Sequence, residues 1–355
     1  MKKLLAVLLC VMMVLSLIGC AQEKSKPASE AQTETKTEEK TESKAEEKKQ
    51  VKYYTFAASP ATAAMYPYWV AIGQCVQTAF PEMQVSVSES QGATDVSNRI
   101  RAGEADIGNS ASPSDFDNYN GVGVFADNPN KDARMLWYFD NRTACLIVVA
   151  ADSDIKTVAD LKGHKVNPGG TGTTAAKIAM NVMKLLEIEP DWFESGKADA
   201  ADAYGNRQIE GVGASAMQPD SYVVQLQAAR PIRILSYTEE QMAKILEAMP
   251  YLTPMTIPAG TYEGIDYDVL TYSFMQGAQG SSNLSQEDGY KIVKAVFELE
   301  DSIWKNAMPN LADADLVANT LASAIPLHAG TVQYFVEKGI EVPQDLIPEE
   351  YVPVK

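Results

Sequence analysis

The chain has 355 residues, of which 46% are hydrophobic, and a formal net charge of −17 at pH 7. Residues 1–20 carry +2 and residues 21–50 carry −1, so residues 51–355 carry −18, and such an acidic surface argues against nucleic acid or anionic lipid headgroups as partners. The two His and four Cys residues form no C-x-x-C motif and no Cys/His ligand spacing, which argues against a structural zinc site.

The N-terminus has the pattern of an exported protein. Lys2 and Lys3 precede an apolar run from Leu4 to Ile18, which is short for a bilayer span and typical of a secretory signal. The run ends in Leu17-Ile18-Gly19-Cys20, which resembles a bacterial lipobox and predicts lipidation of Cys20; an ordinary signal with an incidental cysteine is the alternative. Residues 21–50 contain no aromatic residue and no aliphatic residue larger than Ala, so we expect a disordered tether. The protein should then be extracytoplasmic and anchored to the cell membrane.

Residues 51–355 are numerous enough for two lobes. We expect residues 51–150 to begin the first lobe, residues 151–267 to form the second, and residues 268–355 to supply a hinge strand and C-terminal helices that complete the first. Two apolar segments, Ala144–Ala151 and Asp268–Met275, are candidates for the crossover strands of the hinge.

The first segment alternates strands with helices. Its patterns predict strand Tyr53–Ala58, helix Tyr66–Phe80, strand Gln84–Ser88, helix Asp95–Ala102 and strand Asp106–Asn109. This order is typical of a parallel α/β sheet, in which ligands bind outside the carboxyl ends of the strands. We therefore expect the loops Ser59–Met65, Ser90–Thr94 and Asn109–Ser112 to face one crevice.

The second segment repeats this alternation. Its patterns predict strand Lys165–Asn167, helix Thr173–Leu186, helix Lys197–Tyr204, strand Gly211–Ala214, helix Pro219–Ala229 and strand Ile232–Ser236. The C-terminal part is predicted to be helical over Gln286–Asn306, where apolar residues recur with a period near 3.6, and over 310–325.

Residues 166–186 raise the question of a nucleotide cofactor, because Gly170-Thr171-Gly172-Thr173-Thr174-Ala175 fits the pattern G-x-G-x-x-A. That pattern also needs an acidic residue at the end of the next strand, and the next acidic residues lie in LEIEPDWFE, where Pro190 opposes a buried strand. We therefore expect no cofactor. The remaining interpretation is a helix that Thr173 or Thr174 caps and whose unpaired amides receive an anion; a plain capped helix is the alternative.

The sequence gives little support for catalysis. The two histidines, His164 and His328, lie far apart beside Gly-containing turns, so a Ser-His-Asp or metal-His arrangement has few members. We expect no catalytic residue; an enzyme that uses only carboxylates for catalysis is the alternative. Cys75 and Cys145 are expected to be buried thiols, with a disulfide between them as the alternative.

Several blocks of sequence occur in one order along the chain: GEADIG at 103–108, Asp154-Ile155-Lys156, Asp160-Leu161-Lys162-Gly163, Val166-Asn167 followed by Gly170–Thr173, TIPAGTYEG at 256–264 and LHAGTVQYFVEKG at 327–339. In these blocks the chain resembles the TAXI-type solute-binding proteins of TRAP transporters over residues 53–340. The resemblance implies a two-lobed periplasmic-binding-protein fold of type II-like α/β class, with two parallel-rich sheets flanked by helices and joined by a two-strand hinge. It also implies delivery of a small organic acid or amino acid to a membrane permease.

One loop departs from that family. Where relatives usually have a glycine-rich loop after the first strand, this chain has Pro60 and several alanines between Ser59 and Tyr66. Without those glycines the backbone cannot approach a ligand as closely, so the solute should differ from the glutamate-like compounds that some relatives bind.

The predicted ligand-binding residues come from both lobes and are small, polar or hydroxylated. We expect a monomer that binds a dicarboxylate, keto acid or acidic amino acid and passes it to the membrane subunits of a TRAP permease; a lipid-anchored sensing subunit of a signalling receptor and a secreted hydrolase or lyase are the alternatives. The candidates are Ser59, Tyr66, Gln91, Thr94, Asn109 and Ser110 in the first lobe, and Asn167, Gly170, Thr171, Gly172, Thr173, Thr174 and Gln218 in the second, with Tyr138 and Arg142 as further possibilities.

Overall fold

The computed structural model describes residues 50–59, 61, 65–171 and 173–354, without the side chains of Asn141, Arg142 and Ser302. The predicted signal, the Cys20 anchor and the tether up to residue 49 lie outside the described residues. Within the described ranges, no helix has the length and apolar character needed to cross a membrane.

Ten strands and eleven helices make up the described chain. The strands are β1 Lys52–Ala58, β2 Met83–Glu89, β3 Ile107–Ala111, β4 Ala133–Ala150, β5 Lys165–Asn167, β6 Asp191–Trp192, β7 Gly211–Ala216, β8 Ile232–Ile234, β9 Leu252–Ile257 and β10 Val269–Ser281. The helices are α1 Tyr66–Ala79, α2 Ala93–Arg101, α3 Ser112–Asn120, α4 Thr174–Leu185, α5 Lys197–Gly205, α6 Ser221–Ala229, α7 Glu239–Ala248, α8 Gln286–Glu298, α9 Lys305–Ala307, α10 Leu316–Leu321 and α11 Ala329–Glu337.

The strands form one sheet in the order β2-β1-β3-β10-β4-β7-β5-β6, with β8 paired to β4 and β9 paired to β10. On one side β1 is parallel to β2 and β3, and on the other β5 is parallel to β6 and β7. The long strands β4 and β10 run antiparallel to each other and connect the two parallel parts. The predicted α/β class and the two joining strands are confirmed, although both strands are longer than predicted.

The hydrophobic cores follow the two parallel parts of the sheet. The largest cluster draws its buried members from residues 54–139 and 275–346, and includes Trp69, Trp137 and Trp304. Two further clusters draw almost entirely on residues 144–274. This distribution agrees with the predicted lobes, whose boundaries stay a prediction.

The register between β4 and β10 is irregular where the two sets of clusters meet. Register shifts occur around Gln276, which faces Asp140, and the Nε2 of Gln276 donates to the Thr143 hydroxyl at 3.2 Å. Bulges of this kind bend and twist a strand pair locally. The irregular pairing lies where β4 and β10 pass from one parallel part of the sheet to the other, and we call the space between the carboxyl ends of these two parts the cleft.

Local chemistry explains two of the helices that follow the parallel strands. In α1, Pro67 occupies the first turn, where its missing N–H is harmless, and buried residues recur at Tyr68, Trp69, Ile72, Cys75 and Val76. In α4, the Thr173 hydroxyl accepts a hydrogen bond from the Ala176 amide, so the predicted N-cap is confirmed.

Several predicted elements differ from the structure. The predicted loop Asn109–Ser112 was wrong, because β3 continues to Ala111 and leads directly into α3. The predicted helix Gln286–Asn306 is interrupted after Glu298 by a wider π-helical turn, next to which the buried Trp304 donates its Nε1–H to the carbonyl of Val296. The helical segment predicted at 310–325 is reduced to a short 3₁₀ turn and α10.

The cysteines are free thiols. Cys75 and Cys145 are both buried and unbonded, so the alternative of a disulfide is wrong. Burial raises the pKa of each thiol to about 12, which makes both of them inert at neutral pH.

Candidate functional site

A cavity of about 450 Å³ lies outside the carboxyl ends of β3 and β5. Its walls come from both parallel parts of the sheet, as expected for a ligand site in an α/β protein. The lining residues are Thr94, Pro113, Ser114, Asp117, Val124, Phe125, Pro168, Thr171, Thr173, Thr174, Ala176, Lys177, Ile178, Met180, Asn181, Glu194 and Tyr251.

Three helices present their N-terminal ends to this cavity. Thr94 is the second residue of α2, Ser114 is the third residue of α3 and Thr174 is the first residue of α4. First-turn amides have no partner within their own helix, and the helix dipole gives this end a partial positive charge. The N-cap residues of α2 and α3 are Gly92 and Ala111, which make no side-chain cap. The three helix ends therefore place partial positive charge at the lining of the cavity.

The loop before α4 is built around the side chain of Asn167. Its Oδ1 accepts hydrogen bonds from the amides of Gly169 and Gly170 at 2.9 and 3.0 Å, and its Nδ2 donates to the carbonyl of Phe193 at 2.8 Å. The amide of Thr171 donates to the carbonyl of Ser195 at 3.0 Å. These three amides are used inside the protein, so the loop offers a ligand fewer donors than its glycines suggest.

Thr173 completes the loop from the helix side. Its hydroxyl donates to the carbonyl of Gly170 at 2.9 Å while accepting from the amide of Ala176 at 3.1 Å. The amide of Thr174 has no acceptor among the described residues, and its side chain lines the cavity. Gly172 lies outside the described residues. Thr174 is therefore the part of this loop best placed to meet a ligand.

Charged side chains close one end of the cavity. The Nζ of Lys177 on α4 lies 2.6 Å from the Oδ2 of Asp117 on α3. Glu194, which is exposed, also contributes to the lining. Lys177, Asp117 and Tyr251 were not predicted from the sequence. For Lys177 the sequence does contain a signal, since this residue lies one turn after Thr173 and Thr174 on α4.

A family profile described as the NMT1-like family matches residues 56–339. This chain belongs to the NMT1-like family.

Three solved structures to which this NMT1-like chain is similar have low sequence identity to it, and the first of them supports the assignment of the fold. A TctC solute-binding protein from Polaromonas is 16% identical over 81% of this chain and 98% of the other, with a TM-score of 0.50. The periplasmic aliphatic sulphonate-binding protein SsuA from Escherichia coli is 14% identical over 85% of this chain and 94% of the other, with a TM-score of 0.45. The alkanesulfonate-binding protein SsuA from Xanthomonas axonopodis pv. citri, bound to MOPS, is 14% identical over 84% and 96%, with a TM-score of 0.40. The fold is that of periplasmic binding proteins.

The NMT1-like chain brings only part of the predicted site together. Thr94, Thr171, Thr173 and Thr174 line the cavity from two helix ends, those of α2 and α4, and from the loop before α4. Asn167 and Gly170 lie behind the lining and shape it, as their hydrogen bonds show.

The remaining candidates lie elsewhere in the described part of the chain, and their roles as ligand contacts stay predictions. Ser59 is buried at the end of β1, and Tyr66 begins α1 and packs against the largest core cluster. The Asn109 side chain accepts a hydrogen bond from the Trp69 indole at 3.2 Å. Of the others, Ser110 is buried, and Gln91 is exposed, with its backbone amide hydrogen-bonded to Asp95. Gln218 lines a separate cavity of about 390 Å³, where its side chain accepts a hydrogen bond from the Tyr262 hydroxyl.

A buried carboxylate connects α3 to the strands β4 and β10. Asp115 has no solvent exposure, and it accepts hydrogen bonds from the Tyr138 hydroxyl at 2.8 Å and the Gln279 amide at 2.7 Å. Burial raises the pKa of Asp115 to about 7, and these hydrogen bonds oppose the rise. Tyr138, considered above as a further ligand contact, therefore anchors α3 to β4. Arg142 belongs to β4, and its side chain lies outside the description.

The charged and sulfur-containing residues of the described ranges form no metal centre. No group of three or more His, Cys, Asp or Glu side chains there could hold a metal ion. The described lining of the cavity includes neither His nor Cys. The arrangement can bind and orient a small molecule.

Proposed function

We propose that this chain is an extracytoplasmic receptor that captures a small anionic organic solute and performs no chemistry on it. The observation that carries this proposal is the convergence of the N-terminal ends of α2, α3 and α4 on one cavity of about 450 Å³. Amides and dipoles of this kind stabilise carboxylates, so the proposed solutes are dicarboxylates, keto acids and acidic amino acids.

Membership of the NMT1-like family and the periplasmic-binding-protein fold support a receptor rather than an enzyme. The TctC protein from Polaromonas is described as a solute-binding protein, and its fold matches 81% of this chain. The proposed mechanism is a population shift, in which contacts from both sides of the cleft favour a closed form.

The proposed recipient of the solute is a TRAP-type permease. This part of the proposal rests on the ordered sequence blocks that resemble TAXI-type proteins, such as GEADIG at 103–108 and LHAGTVQYFVEKG at 327–339. The proposed location follows from the N-terminal sequence: a signal ending at Cys20, lipidation of that cysteine and a tether to residue 50 would hold the receptor at the membrane surface.

Mass spectrometry of the purified full chain in detergent tests this function. We expect one small acid to be released per chain on denaturation, and calorimetric titration with the same acid should give 1:1 binding without loss of the acid over time. Conversion of the acid into a product, or copurification of a cation instead of an acid, would contradict the proposal.

A further inference from the structure

We propose that Lys177 is a latch residue: its ion pair with Asp117 holds the two walls of the cleft together and limits the size of solute that the cavity accepts. The inference rests on the proposed function, because it names the residues that regulate the same cavity.

The ion pair connects elements from opposite parts of the sheet. Asp117 belongs to α3, which follows β3, and Lys177 belongs to α4, which follows β5. In the sheet, β3 and β5 are separated by β10, β4 and β7. The contact of 2.6 Å between Nζ and Oδ2 therefore bridges the cleft instead of stabilising one helix or one layer.

The loop after α3 packs against the ion pair at Gly123. Gly123 has a φ of +62°, and a β-carbon at this position would lie 2.7 Å from the Nζ of Lys177 and 3.0 Å from the Oδ2 of Asp117. A side chain at this position would therefore push the Lys177 ammonium group away from Asp117, and the positive φ itself favours glycine. Val122 and Val124 on either side are exposed, so the loop forms the outer rim of the cleft.

The ion pair contributes to two cavities. The second, of about 720 Å³, is lined by Val122, Leu185 and Met249 among other residues. Both cavities include Lys177 and Asp117 in their linings. Because the two linings share this pair, we expect loss of the ammonium group to connect the cavities and to admit a longer solute.

The strength of the ion pair suits a contact that must open to admit solute. The Asp117 side chain is 12% exposed and that of Lys177 is 46% exposed, so water screens the attraction in part. Pairs of this kind shift an equilibrium by roughly two- to fivefold. A latch of that strength biases the cleft toward closure and still opens rapidly.

Hydrogen–deuterium exchange of the solute-free chain tests the latch directly. We expect Lys177→Met and Asp117→Asn to increase exchange in segments 112–125 and 173–181 together, by about two- to fivefold. Lys244→Met is the matched control, because Lys244 is an exposed helical residue on α7 that lines neither cavity, and its loss changes the net charge equally. The double variant Lys177→Asp/Asp117→Lys should restore slow exchange.

A second pair of variants tests the packing of Gly123 against the ion pair without changing any charge. Gly123→Ala should increase exchange in the same two segments. Gly103→Ala is its control, since Gly103 has a φ of +73° and nothing within 4 Å of the added β-carbon, so it carries the same backbone strain without touching the latch.

Binding of succinate and suberate then tests the size limit. Lys177→Met should raise the affinity for suberate relative to succinate by at least twofold, whereas Lys244→Met should not. Unchanged exchange in both segments would overturn the latch, as would a charge-swapped variant that fails to restore slow exchange. If no acid binds to the wild-type chain, the proposed function fails while the exchange experiment still decides the latch.

Discussion

At the scale of single residues, buried polar side chains determine the shape of the cavity from behind its surface. Asn167 is 2% exposed, and it connects the loop before α4 to the segment around Phe193. Asp115 likewise connects α3 to β4 and β10 by accepting hydrogen bonds from Tyr138 and Gln279. Buried polar side chains stabilise a protein only when all of their hydrogen bonds are made, because an unpaired buried group is unfavourable. Replacing Asn167 or Asp115 should therefore lower the free energy of unfolding.

Replacement of Asn167 tests the first of these supports. Asn167→Ala leaves the amides of Gly169 and Gly170 without their acceptor and should lower the free energy of unfolding by about 3 kcal/mol. Urea denaturation measures the change. Asn283→Ala, at an exposed position, is the control and should change the free energy by less than about 0.5 kcal/mol. An equal effect of the two variants would show that the Asn167 side chain does not support the loop.

Replacement of Asp115 tests the second support through pH. Its pKa is raised from 3.8 to about 7 in the folded protein, so its contribution to stability is complete below pH 4 and is lost as the pH rises through 7. The difference between 3.8 and 7 corresponds to roughly 4 kcal/mol at 1.36 kcal/mol for each pH unit.

The measurement compares the free energies of unfolding of wild type and Asp115→Asn between pH 5 and pH 8. We expect the wild-type chain to lose about 3 kcal/mol more than the variant over this range, because the amide does not titrate. The same pH dependence in both proteins would mean that Asp115 ionises normally in the folded state.

At the scale of elements, helix α11 crosses α8 at two glycines. A β-carbon on Gly330 would lie 2.2 Å from the backbone nitrogen of Tyr290, and one on Gly289 would lie 2.2 Å from the imidazole of His328. The imidazole is fixed by hydrogen bonds to the Gly330 amide at 3.0 Å and the Leu284 carbonyl at 2.9 Å. The two helices can therefore approach closely only without side chains at these positions.

Gly330→Ala tests this crossing. The added methyl group meets backbone, which cannot move aside as a flexible side chain would, so we expect a loss of about 2 to 3 kcal/mol in thermal or chemical unfolding. Gly205→Ala is the control, because Gly205 ends α5 and its added β-carbon would make an ordinary contact of 3.5 Å with Ala229. If both variants were equally stable, the crossing of α8 and α11 would not depend on glycine.

The sequence predicted the elements that local patterns specify. Helix α4 and its Thr173 cap could be predicted because the small residues, the cap and the apolar period lie within one continuous segment. Helix α3 was missed because its sequence, SPSDFDNYN, has no apolar period, and β9 was missed because Pro254 interrupts its strand pattern.

Only the part of the site that lies within one continuous segment was predicted from the sequence. Thr171, Thr173 and Thr174 follow from one Gly-Thr segment, whereas the partners of Asn167 lie 26 and 28 residues further along the chain. Lys177 and Asp117 are 60 residues apart, and their contact depends on the order of strands in the sheet. Contacts of this range are decided by tertiary packing, which local patterns do not report.

At the scale of the whole molecule, an acidic protein is proposed to bind an acidic solute. The body carries a formal charge of −18, so its distant charges repel an anion. The short-range field of three helix ends acts inside the cavity, where less water screens it, and this local attraction is what the proposed function requires.

A crystal structure of the chain with its copurified acid, or with succinate if none copurifies, tests the central claim most directly. We predict that a carboxylate oxygen lies about 3 Å from the amide nitrogens of Thr174 and Ser114, with Thr94 on the third side. A carboxylate bound away from these helix ends, or an acid bound outside the cavity of about 450 Å³, would contradict the account.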